Sequence, residues 1–379
     1  MQPYQILFPI GLFYAAIGAL VWIFFGFGLT PFPYLTHASF MIEGFVFSFA
    51  VGFLMTAIPR FTGTSPATRW EMQLAAFVCL ARSITPFFAQ AAAINAAMTV
   101  GIFGLLMVFM LPRFRAKTFN PPPHFLFLGL GIAIGLIGSL LLLGIALHYV
   151  PIFWLKSARM YLYQGTLFCF IFGIGGRLIT MLLGRLSTPM VQMSGITSKP
   201  SAPLFLWIQM ALTAMSFIVE PWQMTVGQLL RALVATWIAF DVWKLYRLPK
   251  MRTRLTTGLW LAAWSLLVGL WLVVALPSAY FAALHVVFIS GFGLMTLMIA
   301  SRVTLSHGGH DMGLEKSSRV LLWMPILLAF AAFTRFTAIF VTGPGYTRHL
   351  VYAAIIWIVA LTFWTWVFLP KILKSQECR

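Results

Sequence analysis

Charge is scarce in this chain. Only 8% of its 379 residues are charged and 61% are hydrophobic, where an ordinary soluble domain carries about 25% charged residues. Water could not wet such a surface, so the expected solvent is a lipid bilayer. Acidic residues are scarcer still, with 7 Asp+Glu against 25 Lys+Arg. Cysteine is limited to Cys79 and Cys169, both inside apolar runs, and Cys378 in the tail, with no CxxC. That points away from a disulfide framework and from a thiolate metal site. No HExxH, phosphate-binding loop or GxSxG occurs, so hydrolytic and nucleotide-driven chemistry lack their signatures. The basic residues sit between apolar runs rather than as a stripe on a soluble face, so no nucleic-acid partner is expected. The N-terminus has no basic leader and no small-residue cleavage site, and residues 4–28 read as a retained span rather than a cleaved signal.

What is present is a succession of apolar runs long enough to cross a bilayer. They lie near 4–28, 37–59, 70–89, 92–111, 124–147, 158–184, 202–219, 222–243, 256–276, 279–301, 317–342 and 347–369. The predicted fold class is therefore all-α: a polytopic helical bundle of about twelve transmembrane helices. Residues 1–379 form a single transmembrane domain. Arg60 and Arg69, Arg113, Arg115 and Lys117, Arg185 and Lys199, and Lys244 through Arg254 follow the second, fourth, sixth and eighth runs. Arg302, Lys316 and Arg319 follow the tenth, and Lys371, Lys374 and Arg379 the twelfth. The intervening loops hold Lys156, Arg159 and Arg348. Positive loops stay cytoplasmic, which places both termini in the cytoplasm.

Runs two, six and ten end alike, in Gly52-Phe-Leu-Met-Thr…Arg60, Gly176-Arg-Leu-Ile-Thr…Arg185 and Gly293-Leu-Met-Thr…Arg302. This suggests three four-helix units, roughly 1–120, 121–255 and 256–379. Common interface composition produces the same look. Small residues such as Gly173, Gly175, Gly176, Gly291 and Gly293 suit close helix packing.

Ionisable groups inside hydrocarbon are costly and point to function. Glu43 lies about two turns into the second run. Arg82, Arg177, Arg231 and Arg335 also fall within runs, and Asp241 lies near the end of the eighth. Four arginines against one deep and one shallow carboxylate leave room for an anionic ligand such as lipid phosphate or haem propionate. His37, His285 and His349 open or nearly open runs two, ten and twelve, at similar depth on different helices. Neutral imidazole is the commonest biological metal ligand, and bundles build cofactor sites from facing helices. His307 and His310, in a His-Gly-Gly-His-Asp turn, are a second metal candidate, against the plainer reading of a solvated cytoplasmic loop.

Three ordered stretches carry a resemblance. His37-Ala-Ser-Phe-Met-Ile-Glu43-Gly-Phe-Val continues to Gly52-Phe-Leu-Met-Thr-Ala-Ile-Pro-Arg60-Phe-Thr-Gly63. Tyr163-Gln-Gly165 leads to Gly173-Ile-Gly-Gly176-Arg. Ala283-Leu-His285 leads through Gly293-Leu-Met-Thr296 to Ser301-Arg302-Val-Thr-Leu-Ser-His307-Gly-Gly. Together these resemble the NnrS family of bacterial membrane proteins. The resemblance implies a twelve-helix inner-membrane protein of the nitric oxide response, associated with denitrification and protection from nitrosative stress, and able to carry haem and copper. His37, Gly44, Pro59, Arg60, His285, Arg302 and His307 match the family's motifs as they stand. One departure is that Ser39 and Phe40 occupy positions where family members have His and Glu, which weakens the expectation of copper more than that of haem.

On this reading a haem b lies between helices, ligated by one or two of His37, His285 and His349. Arg335, Arg348 and Arg159 are candidate propionate partners. Glu43 is a candidate proton carrier or acceptor for a ligating imidazole. Nitric oxide is a candidate ligand, and the lipid bilayer is the expected partner. Two other classes remain open: a transporter, and a redox enzyme distantly like the haem–copper nitric oxide reductases.

Overall fold

The computed structural model describes residues 1–82, 91–185 and 203–374. The end of the third predicted run (83–89), Lys199, Cys378 and Arg379 lie outside the described residues. Among these residues there is no strand. In hydrocarbon each backbone N–H and C=O must find its partner within its own segment, so apolar runs become helices. A helix lies in every predicted run: α1 (Pro3–Gly26), α2 (Tyr34–Thr62), α3 (Arg69–Ala81), α4 (Ala91–Arg115), α5 (Pro123–Ala146), α6 (155–175), α7 (Leu204–Val219), α8 (Met224–Asp241), α9 (Arg254–Ala275), α10 (Pro277–His307), α11 (Arg319–Phe340) and α12 (Pro344–Leu373). Eight of these are long and apolar enough to cross a membrane: α1, α2, α4, α5 and α9 to α12. The others are shorter or more polar. Large apolar side chains such as Val108, Phe330 and Trp366 face outward, while Thr99, Gln209 and Ser301 are buried. That inversion of the soluble pattern is what a lipid solvent produces, because polar groups must find partners inside the bundle.

The contacts divide the chain into two compact units. One comprises Met1–Leu7 and Ala50–Trp243, the other Phe8–Phe49 and Lys244–Arg379.

In the first unit, α3 begins at a reciprocal cap. Thr68 Oγ1 accepts from the Glu71 N–H, and the Glu71 carboxylate accepts from the Thr68 N–H at 2.7 Å. Arg113, near the end of α4, donates to both Glu71 oxygens and to the carbonyls of Ser65, Pro66 and Phe109, and its guanidinium lies 3.8 Å from the Phe109 ring centre. Loss of the cap hydroxyl in Thr68→Ala is expected to cost about 1 kcal/mol. Thermal unfolding of the detergent-solubilised protein should fall by a few degrees, and an unchanged midpoint would show the cap to be energetically idle. Helices α5 and α6 touch through glycine: a Cβ on Gly138 would lie 2.8 Å from both the Ala158 carbonyl oxygen and the Leu162 nitrogen. Backbone cannot yield there, so a residue without a side chain is required.

In the second unit, α1 packs on the first half of α2. Phe8 and Phe49 stack with ring centres 4.5 Å apart, and Gly44 admits Tyr14 against the helix backbone. Trp357 of α12 donates to the Ala15 carbonyl, and Trp364 donates to Ser301 Oγ on α10 at 2.9 Å. Gly269 of α9 lies against Val287, and Gly291 of α10 against Leu266.

Helices α2, α6 and α10 share a local feature. Each passes through a π-helical stretch, at Ser39–Val46, Tyr161–Gly165 and Val286–Gly293. Such wide turns concentrate at functional sites, because the extra residue shifts the helix face that follows.

Candidate functional site

Two of the three predicted outer histidines meet. His37 stands two residues before the π stretch of α2, and His285 immediately precedes that of α10. Their rings lie nearly parallel, 12° apart, with centres 6.3 Å apart. Both belong to the second unit, and both are half-buried. Each ring is oriented by a backbone carbonyl. His37 Nδ1 donates to Gly18 on α1 at 2.7 Å, and His285 Nδ1 donates to Phe281, one turn earlier on its own helix, at 2.6 Å. A neutral imidazole whose Nδ1–H is spent this way carries its lone pair on Nε2. Carbonyl-oriented imidazole of this kind is the usual outer support of a metal ligand. Trp22 packs edge-on against His37 with ring centres 5.6 Å apart, which further restricts its rotation.

The ring spacing matches one metal geometry. An ion bound from opposite sides by both Nε2 atoms at about 2.0–2.1 Å each would hold the ring centres roughly 6–6.5 Å apart. The donor set ends there, since among the described residues no group of three or more His, Cys, Asp or Glu is placed to hold an ion. Ser39 opens the π stretch and Phe40 is buried against Tyr14, so neither extends the set by an imidazole.

Arg335, near the end of α11, interacts electrostatically with both rings and with Tyr346. It forms no hydrogen bond or ion pair with a described residue. A cation beside two neutral imidazoles suits an anionic group. Of the other predicted cations, Arg348 is exposed at the start of α12, and Arg159 lies on α6 in the first unit. His349 is held by Thr334 and Thr337: its Nδ1 lies 3.1 Å from the Thr334 carbonyl and 3.2 Å from Thr337 Oγ1. Glu43 is buried within the π stretch that follows His37. His310 Nε2 donates to the Lys371 carbonyl at 2.8 Å, which ties the His307–His310 turn to the end of α12.

Sequence reasoning missed Glu220. At a Glu-Pro turn between two apolar runs it reads as a loop residue. In the structure it is buried and forms an ion pair with Arg231 of α8. Arg231 also donates to Gln164 at 2.8 Å and lies over the Phe217 ring. Arg82 donates to Asn95 and Thr99, each at 2.8 Å. Arg82 and Arg231 are therefore partnered within the bundle, beyond what the carboxylate count implies. The available signal was the pairing of a short apolar hairpin with an arginine eleven residues beyond the glutamate.

These features define a multi-helix membrane protein with an oriented histidine pair beside an arginine. The family model described as NnrS protein matches residues 1–376, and the chain belongs to the NnrS family. No curated protein and no solved structure matches it.

Proposed function

We propose that the chain is a bacterial inner-membrane protein of the nitric oxide response that holds a haem b between His37 and His285. In this reading all twelve helices cross the membrane and both termini are cytoplasmic. The carrying observation is the pair itself: two imidazoles on different helices, both oriented through Nδ1 by backbone carbonyls, at a spacing that suits one metal between them. Arg335 would pair with a propionate, a role that uses its proximity to both rings. Held by two histidines, a haem would supply one-electron transfer, whereas an open position would permit nitric oxide binding. The chain's own part is to fix both tautomers and to place a compensating cation. Copper on the same two nitrogens is the second reading. It rests on the same observation, since imidazole suits copper as well as iron.

The test is a reduced-minus-oxidised spectrum of the purified full-length protein, with a pyridine haemochrome and a copper determination. About one haem per chain is expected, as one imidazole pair serves one iron. Stoichiometric copper in a colourless preparation would move the assignment to the second reading. A colourless, copper-free protein after haem-supplemented expression would overturn both.

A further inference from the structure

Helices α11 and α12 of the second unit leave a cavity of about 330 Å³, lined by Phe330 and Thr334 of α11 and by Tyr352, Ile355 and Ile356 of α12. A space of that size accommodates a small organic ligand. Phe330 and Tyr352 are half exposed, on two helices long and apolar enough to cross a membrane. The cavity is therefore entered from the lipid side. The histidine pair uses none of these five residues.

The wall is apolar apart from two hydroxyls. Threonine in a helix often returns its hydrogen to the carbonyl four residues earlier. Thr337 of α11 does so, to Phe333 at 3.0 Å, and Thr362 of α12 does so, to Ile358 at 2.8 Å. Thr334 does not. Its side-chain hydroxyl forms no hydrogen bond with a described residue, although the residue is only 7% exposed. Its carbonyl is in use, 3.1 Å from His349 Nδ1 of α12 and 3.2 Å from the Thr337 hydroxyl. Tyr352 follows His349 by three residues, on the same face of α12, and its hydroxyl also has no partner among the described residues.

These features restrict the occupant. It must be lipid-soluble, because the entrance lies in hydrocarbon. It must bring acceptor oxygens, because the wall offers two O–H donors and no carbonyl or carboxylate side chain. A planar ring suits the aromatic walls of Phe330 and Tyr352. An acyl chain would fill the space but leave the Thr334 hydroxyl unpaired, which is costly in hydrocarbon.

We propose that the α11–α12 cavity binds the head group of a membrane quinone, with the Thr334 hydroxyl donating to a quinone carbonyl and the ring held against Phe330 and Tyr352. The residue after Thr334 is Arg335, so the carrier stands on the helix that also presents a cation to the histidine pair. Binding rests on the cavity alone and does not depend on the haem reading.

The test uses the full-length protein in phosphatidylcholine nanodiscs, photolabelled with an azido derivative of decylubiquinone and mapped by peptide mass spectrometry. Label is expected on the peptides holding Phe330 to Thr334 and Tyr352 to Ile356. Excess decylubiquinone should remove it, and excess decanol should not. Thr334→Val deletes the hydroxyl at nearly constant volume and keeps the carbonyl that holds His349. It should weaken labelling by roughly three- to tenfold, the usual worth of one hydrogen bond. Ile356→Trp fills the cavity, keeps Thr334 and should abolish labelling, with circular dichroism confirming retained helix. Label spread evenly over the lipid-facing helices, equal displacement by decanol, or undiminished labelling in either folded variant would overturn the proposal. Specific labelling of a haem-free preparation would support it while rejecting the haem reading.

Discussion

Replacing either His37 or His285 by alanine is expected to weaken haem retention by about tenfold or more, at least roughly 1.4 kcal/mol of binding. His349→Ala should retain it. The asymmetry follows from geometry. His37 and His285 face each other with ring centres 6.3 Å apart, and each has its Nδ1 proton committed to a backbone carbonyl. His349 has its Nδ1 held in the same way by the end of α11, but among the described residues no second imidazole ring lies against it. Removing one member of the pair leaves a single axial donor, so any haem that remains should change from a low-spin to a high-spin spectrum. The measurement is the haemochrome ratio of haem to protein, with circular dichroism to confirm retained helix. Equal loss in all three variants would mean that a general loosening, not ligation, is being read. Loss confined to His349→Ala would reject the pair as the ligand set.

Arg231→Leu is expected to destabilise the protein by roughly 3–5 kcal/mol, the usual consequence of stripping one partner from a buried ion pair. Glu220 is 2% exposed and Arg231 3%, so neither has bulk water to fall back on once its partner is gone. Truncation also removes the donor to Gln164 and the contact with the Phe217 ring. The double variant Arg231→Leu with Glu220→Leu should recover much of the loss, because it removes both charges and leaves no orphan. Thermal or denaturant unfolding in detergent, run as a double-mutant cycle, gives the coupling. Additive effects of the two substitutions would show that the pair contributes little in this environment.

The helix positions were legible in the chain because their cause is local. A bilayer forces each segment to satisfy its own backbone, so the length of an apolar run already encodes a helix. A helix lies in each of the predicted runs, and eight pass the test of length and apolarity for crossing a membrane. Membership of the NnrS family was equally readable, since His37, Gly44, Arg60, His285 and Arg302 carry it in linear order.

Partnership was not readable. His37, His285 and His349 were equivalent by depth and residue type. Which two of them meet depends on the packing of α1, α2 and α10, on a carbonyl at Gly18 nineteen residues away, and on the π turns beside each ring. A π turn leaves no mark in a 3.6-residue periodicity, yet it changes the face that everything after it presents. Glu220 escaped for the same reason, since its burial and its arginine are supplied by a neighbouring helix. Composition and run length thus determined the solvent, the helices and the shortlist of ligands. Only the tertiary structure decided which side chains act together, because that choice rests on contacts between segments far apart in sequence.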